Sequence, residues 1–224
     1  MNENLQKRIF TSILLLLTLI IGIFINKYIW LILLVLVSSI CFIEFKNILV
    51  KININHKKIK ILIYLILLFY LLFFIYSAFQ MHLISKPYLI IVLMICILSD
   101  TGGYTVGKLV GGKKLTKISP NKTISGSLGS FIFSIFPLST FIVLEHKFIN
   151  IDFINFDFKL SLIICLILSL VCQIGDLFIS YFKRLSDVKD TGNILPGHGG
   201  LLDRIDGVIF VIPVAFIILK LFLI

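Results

Sequence analysis

Seven stretches of the chain are almost continuously apolar, near residues 9–25, 28–45, 61–79, 87–107, 126–144, 160–181 and 205–223. Each runs for roughly 17–22 residues, which at about 1.5 Å of rise per residue crosses about 30 Å of hydrocarbon as a helix. Polar residues are confined to the intervals between them. The pattern predicts an all-α, polytopic integral membrane protein with about seven transmembrane helices. The count falls to six or rises to eight if the Gly-rich stretch near 102–112 bends the fourth span. The first stretch has a basic flank in Lys7 and Arg8, but no small-residue cleavage site follows it and a second span begins at once, so it reads as a retained helix. No repeat, soluble domain or long linker interrupts the series, and residues 1–224 read as a single membrane-embedded domain.

Composition sharpens that reading. Of 224 residues, 59% are hydrophobic and 14% charged, with a mean hydropathy of +1.11. A soluble domain averages about 45–50% apolar and about 25% charged, so this chain lacks the polar surface to solvate a globule, and it is too apolar for a disordered chain. Lys and Arg number 21 against 11 Asp and Glu, a net charge of +10. In a membrane protein such an excess marks loops held in the cytoplasm rather than a nucleic-acid partner. With the N-terminus inside, sixteen basic residues fall on the cytoplasmic side and five (Lys27, Lys86, Lys147, Lys159, Lys220) outside. That asymmetry predicts N-in and C-out for seven spans. Glu145, Asp152 and Asp157 make the 145–159 loop the acidic one, consistent with an outer face. Cys41, Cys96, Cys165 and Cys172 lie within apolar runs without CxxC spacing, as core or lipid-facing residues do.

Chemistry-bearing residues concentrate in two loops on the side counted as cytoplasmic. The first runs from Ser99-Asp100-Thr101-Gly102 through Ser119-Pro120-Asn121-Lys122-Thr123. The second runs from Gly175-Asp176 to Asp206. Asp100 and Asp176 sit at the end of, or within, apolar helices, where a carboxylate costs about 2.5–3.5 kcal/mol on insertion scales and so needs a reason. Asp176, Ser180 and Lys183 project within about 60° of one another on a helix, a stripe suited to a metal–phosphate site, although a carboxylate paired with a nearby Lys is the simpler reading. Gly197-His198-Gly199-Gly200 allows the close backbone approach that phosphate-cradling turns require. Asp203 and Asp206, three apart, share a face if the last helix begins there. Carboxylates beside Lys and Arg supply what a Mg²⁺–polyphosphate complex needs. No His/Cys set has zinc spacing, so His198 reads as a phosphate donor or a supporting group. The lysines of the first loop could equally contact anionic headgroups, and no GxxxxGK[ST] occurs. Spacing alone thus reaches a cytoplasm-facing, Mg²⁺-dependent enzyme handling phosphates at a membrane, without naming the substrate.

The 27-residue run Ser180-Tyr-Phe-Lys183-Arg184-x4-Lys189-Asp190-x-Gly192-x2-Leu-Pro-Gly-His198-Gly-Gly-Leu-x-Asp203-Arg204-Ile-Asp206 resembles the signature of the phosphatidate cytidylyltransferases, the CDP-diacylglycerol synthases. Ser99-Asp100-Thr101-Gly102 and Ser119-Pro120-Asn121-Lys122-Thr123 are similar to two further motifs of that family. The resemblance implies transfer of CMP from CTP to phosphatidic acid, giving CDP-diacylglycerol and pyrophosphate for phospholipid biosynthesis. It implies Mg²⁺, with a second cation such as K⁺, held by Asp176 and Asp203. It further implies that Lys183, Arg184, Lys189 and Arg204 hold phosphate oxygens and that His198, Gly199 and Gly200 contact the triphosphate. Asp100, Lys122 and Ser180 complete the site, and Asp190 or Asp206 orients its basic residues. A homodimer in the bacterial inner (plasma) membrane, with the active site facing the cytoplasm, belongs to the same expectation. Ser125, Ile179 and Gly207 stand where many members carry Glu, Glu and Ser.

Other classes fit less well. A coupled transporter would place its polar groups at mid-bilayer on broken, repeated helices, whereas here they gather toward one face and no repeat occurs. A related CTP-dependent enzyme acting on a lipid or polyprenol shares the chemistry but not this signature. A CDP-alcohol phosphotransferase would need a DG…AR motif, and Asp206-Gly207 is followed by Val-Ile-Phe.

Overall fold

The computed structural model describes residues 3–52, 57–116, 118–138 and 158–222. Seven helices account for most of them: α1 (Glu3–Phe24), α2 (Lys27–Lys51), α3 (Lys57–Ile84), α4 (Lys86–Val110), α5 (Ile124–Ser134), α6 (Phe158–Leu185) and α7 (Leu202–Phe222). Among the described residues there is no β-strand, only two isolated bridges, Lys114 with Thr123 and Leu195 with Gly199. All helices except α5 are long and apolar enough to cross a membrane. They carry large apolar side chains on open faces (Leu17, Ile66, Phe69 and Leu72 among them), a surface that hydrocarbon covers and water does not. The polytopic all-α expectation is therefore met. The Gly-rich end of the fourth stretch does not bend it, since α4 is continuous to Val110.

Of the fifth stretch, expected over 126–144, the described part is helical from Ile124 to Ser134 and again over residues 136–138. At Ile135 the ladder is interrupted, its amide bonding back to the Ile132 carbonyl, and helix resumes through Pro137, which has no amide to donate. Residues 139–157, with the rest of that stretch and with Glu145, Lys147, Asp152 and Asp157, lie outside the described residues, as does Lys117.

The chain divides into two compact units, residues 1–86 with 181–206, and residues 87–180 with 207–224. In the first, α1 packs on α2 and α2 on α3. Trp30 fixes this arrangement: its indole N–H donates to the Ala78 carbonyl (3.3 Å) and its ring stacks on His82 at 5.9 Å, while His82 Nε2 meets the Ile23 carbonyl at 2.9 Å. The buried stripe of α2 runs Trp30, Leu34, Ser38, Cys41, Glu44, Phe45, Ile48 and Leu49, the three-to-four spacing of one helix face. Phe45 packs on Phe182 (ring centroids 5.1 Å apart), which seats the C-terminal end of α6 against α2.

In the second unit α4 and α5 approach at backbone distance. A Cβ added to Gly102 would stand 2.6 Å from the Gly129 carbonyl, and one added to Gly126 would stand 2.7 Å from the Gly103 carbonyl. Small residues of this kind let membrane helices gain contact where no hydrophobic effect drives them together. Ser99 and Ser169 share a hydrogen bond of 2.8 Å between α4 and α6, and Tyr88 donates to the Ala215 carbonyl of α7. The four cysteines are buried thiols.

Candidate active site

The residues singled out from the sequence fall into two groups, one on each unit. On the second unit a cavity of about 310 Å³ is lined by Asp100 of α4, Lys122 of the 111–123 loop, and Gln173 and Asp176 of α6. The loop is a closed hairpin: Leu115 N–H donates to the Lys122 carbonyl (2.8 Å), Ile124 N–H to the Lys113 carbonyl (3.0 Å), and Thr123 caps α5 by accepting from the Gly126 amide. Ser125 donates to the Gly111 carbonyl and pins the hairpin to the end of α4. That pinning swings Lys122 onto Asp176, with which it forms an ion pair about a quarter exposed on both sides. Ser180, one turn further along α6, donates to the other Asp176 oxygen at 3.2 Å. The expected Asp176–Ser180 stripe is thus present, but the cation paired with Asp176 is Lys122 rather than Lys183.

On the first unit Lys183 donates to Asp203 Oδ1 at 2.7 Å, and this pair is largely buried, at 14% and 8% side-chain exposure. Asp203 stands in the first turn of α7, as its spacing suggested. Its Oδ2 accepts from the Thr191 amide (2.7 Å), the Thr191 hydroxyl (3.0 Å) and the Gly200 amide (3.2 Å). The signature loop that separates the two partners starts where α6 ends in a 6→1 turn, Val188 N–H to the Lys183 carbonyl, with Asp187 left-handed at φ 51. It then makes a tight turn at Leu195-Pro196-Gly197-His198. Pro196 presets the first turn residue, and Gly197 (φ 78) and Gly199 (φ 85) take left-handed conformations that a side chain would strain.

That turn forms one wall of a second cavity, of about 370 Å³, where Arg8, Lys189, Asp190, Asn193, His198 and Arg204 converge. Arg8 Nε donates to the Gly197 carbonyl and an Arg204 N–H to the His198 carbonyl, both at 2.9 Å, so both guanidiniums are aimed by loop carbonyls. Thr11 of α1 meets His198 Nδ1. Partial burial, and then the charges of Arg204 and Arg8, hold the imidazole pKa below its ordinary value. Three permanent cations with one carboxylate make this a site for a multiply charged anion. Of the remaining expected residues, Arg184 and Lys189 are exposed, Gly199 lies over the Asp190 side chain, and Asp206 is buried one turn after Asp203.

A divalent cation of the Mg²⁺ type asks for hard oxygen donors. Asp100 and Asp176 bring two carboxylates to one cavity with Lys122 as the balancing charge, and that donor set fits. Asp203 is different: four donors already fill the lone-pair directions a carboxylate offers, so it takes a metal only by releasing Lys183. Among the described residues no three His, Cys, Asp or Glu side chains cluster as a ready-made metal centre.

Sequence reasoning missed Arg8, Glu44 and Thr191. Glu44 did leave a signal, as the only charged residue of the 28–45 stretch, where a carboxylate calls for a partner. Arg8 left none, because its role depends on a turn 189 residues away.

The chain matches the cytidylyltransferase family over residues 49–222. It is 47% identical over 133 residues to a protein of Staphylococcus saprophyticus named phosphatidate cytidylyltransferase, covering 59% of this chain and 48% of that one. Proteins of the same name from Bacillus subtilis (44% over 125 residues, 55% and 44% covered) and Staphylococcus aureus strain COL (46% over 133 residues, 59% and 48% covered) are similar to it as well. The chain spans about half the length of these curated relatives. With more than half of its residues matched, the chain belongs to the cytidylyltransferase family.

Proposed function

We propose that this protein transfers CMP from CTP to phosphatidic acid, giving CDP-diacylglycerol and pyrophosphate, at a site facing the cytoplasm in a bacterial inner membrane. Family membership and the names of its relatives support the reaction. The observation that carries it is the anion cavity of Arg8, Lys189, His198 and Arg204 around the Pro196-Gly197-His198-Gly199 turn. An oxygen of the lipid phosphate monoester attacks the α-phosphorus of CTP. A new P–O bond forms, the bond to the bridging oxygen breaks, and its electron pair leaves on pyrophosphate. Such transfers are catalysed chiefly by positioning and by neutralising charge. Lys189, Arg204 and Arg8 hold polyphosphate oxygens, and His198 with the Gly199 and Gly200 backbone lies against the triphosphate. Lys183, aimed by Asp203, and Arg184 at the end of α6 serve the reacting phosphates. Lys122, Asp100 and Ser180 line or border the Asp176 cavity, while Asp190 and Asp206 orient neighbouring basic residues.

Mg²⁺, when bound, would neutralise phosphate charge and polarise the phosphoryl oxygens. Asp176 is the carboxylate that suits it; the resemblance also implies Asp203, which would take a metal only by releasing Lys183, and K⁺ as the companion cation. A homodimer, and the N-in, C-out orientation, complete the reading.

The test is transfer of radiolabelled CMP from CTP to dioleoyl phosphatidic acid by the purified protein, with and without Mg²⁺. Mg²⁺-dependent CDP-diacylglycerol that disappears in Asp176→Asn and in Asp203→Asn is the expected result. Folded protein that makes no product overturns the reading.

A further inference from the structure

Glu44 lies on the buried face of α2, 2% exposed, in a stretch otherwise uncharged. A carboxylate there needs donors, and all those it meets come from the signature loop. Oε1 accepts the Leu201 amide (3.0 Å), while Oε2 accepts the Leu202 amide (2.8 Å) and the Thr191 hydroxyl (3.0 Å). Leu201 and Leu202 open α7, where the first amides of a helix have no partner of their own and a leucine supplies no capping oxygen. Glu44 therefore caps α7 from 157 residues away.

Two glycines of the signature fit this arrangement. A Cβ on Gly192 would stand 2.5 Å from Glu44 Oε1, and one on Gly200 would meet both Thr191 Oγ1 and Glu44 Oε2. Thr191 joins the cap to the site, because its hydroxyl lies 3.0 Å from both Glu44 Oε2 and Asp203 Oδ2 and its single proton is shared between the two acceptors. A chain thus runs from Glu44 through Thr191 and Asp203 to Lys183.

We propose that Glu44, N-terminal to the segment matching the family, is a positioning residue of the transfer reaction: through the Thr191 hydroxyl and the first amides of α7 it sets the orientation of Asp203 and Lys183. This rests on the cytidylyl-transfer reading. Glu44 touches no substrate, and its effect belongs in kcat rather than in the KM for either substrate.

The experiment compares the unaltered 224-residue chain with Glu44→Gln, Gly192→Ala, Thr191→Val, Thr191→Ser and the Glu44→Gln/Thr191→Val double variant in CMP transfer. Backbone amide exchange is followed in parallel. Glu44→Gln puts an amide N–H₂ against an N–H donor, and Gly192→Ala pushes the carboxylate away without altering it. Each is expected to lower kcat about 10–100-fold, the usual cost of losing a group that orients a site residue, with KM nearly constant. Thr191→Val falls likewise, Thr191→Ser stays near wild type, and the double variant is no worse than its worse parent, because both act along one chain.

Exchange at Leu201 and Leu202 accelerates at least about tenfold in Glu44→Gln, while α3 amides stay unchanged. Glu44→Gln activity within twofold of wild type, multiplying losses in the double variant, or unchanged exchange at Leu201 and Leu202 each overturn the inference. If wild type makes no CDP-diacylglycerol, the transfer reading has failed, and the exchange data alone decide whether Glu44 positions the loop.

Discussion

Asp203→Asn perturbs one atom of the signature and removes the charge that four donors share. The amide can turn its oxygen toward Thr191 and Gly200, which leaves Nδ2 against the Lys183 ammonium, or toward Lys183, which leaves Nδ2 against two backbone amides. Either way a donor faces a donor in a pocket where the two side chains are 8% and 14% exposed. Breaking a buried pair by removing one partner costs about 3–5 kcal/mol. Taking about 3 kcal/mol and about 2–4 °C per kcal/mol for a chain of this size, the melting temperature falls by roughly 6–12 °C. Lys183→Met/Asp203→Asn removes both members and recovers a large part of that loss, because no uncompensated ammonium stays buried. The assay is thermal unfolding of both variants in one detergent at one scan rate, with CMP transfer measured alongside. A single variant melting within about 1 °C of wild type, or a double variant less stable than the single by the full cost of a second independent loss, refutes this account of Lys183 and Asp203.

Gly129→Ala places a Cβ 2.5 Å from Val106 Cβ and 2.7 Å from the Gly102 carbonyl, where backbone cannot yield. A loss of about 1–3 kcal/mol from overpacking is expected, read as a lower melting temperature. Arg8→Gln removes one cation of the anion cavity and is expected to raise the KM for CTP about tenfold, the worth of one charge-assisted hydrogen bond, with kcat little changed in steady-state kinetics. The His198 pKa is depressed, so the fold favours the neutral ring, and its contribution is complete above the unfolded value of about 6.5 and lost as pH falls below it. Activity and melting temperature should therefore decline together below about pH 6.5, and His198→Gln should flatten that decline in a pH series.

Local regularities wrote much of this molecule into its sequence. Six of the seven apolar stretches became long helices because about twenty apolar residues in a row can satisfy their amides in lipid only within the helix. Asp176 and Ser180 meet because residues four apart share a helix face, and the turn at Pro196-Gly197 forms because φ is preset at one residue and free at the next. In the fifth stretch hydropathy, which only counts apolar residues, is blind to the interruption of the ladder at Ile135 and to the missing amide of Pro137, and residues 139–144 of that stretch lie outside the described residues.

Which charge meets which was decided elsewhere. Lys183 is on the same helix stripe as Asp176 and close to it in sequence, yet its partner is Asp203, and Asp176 takes Lys122 from a hairpin 54 residues away. Glu44 caps α7 and Arg8 holds the Gly197 carbonyl across separations of 157 and 189 residues. Periodicity repeats every few residues and so reports only on neighbours along one element. A hydrogen bond between distant segments depends on the packing that brings them within about 3 Å, and that distance exists only once the helices have folded together.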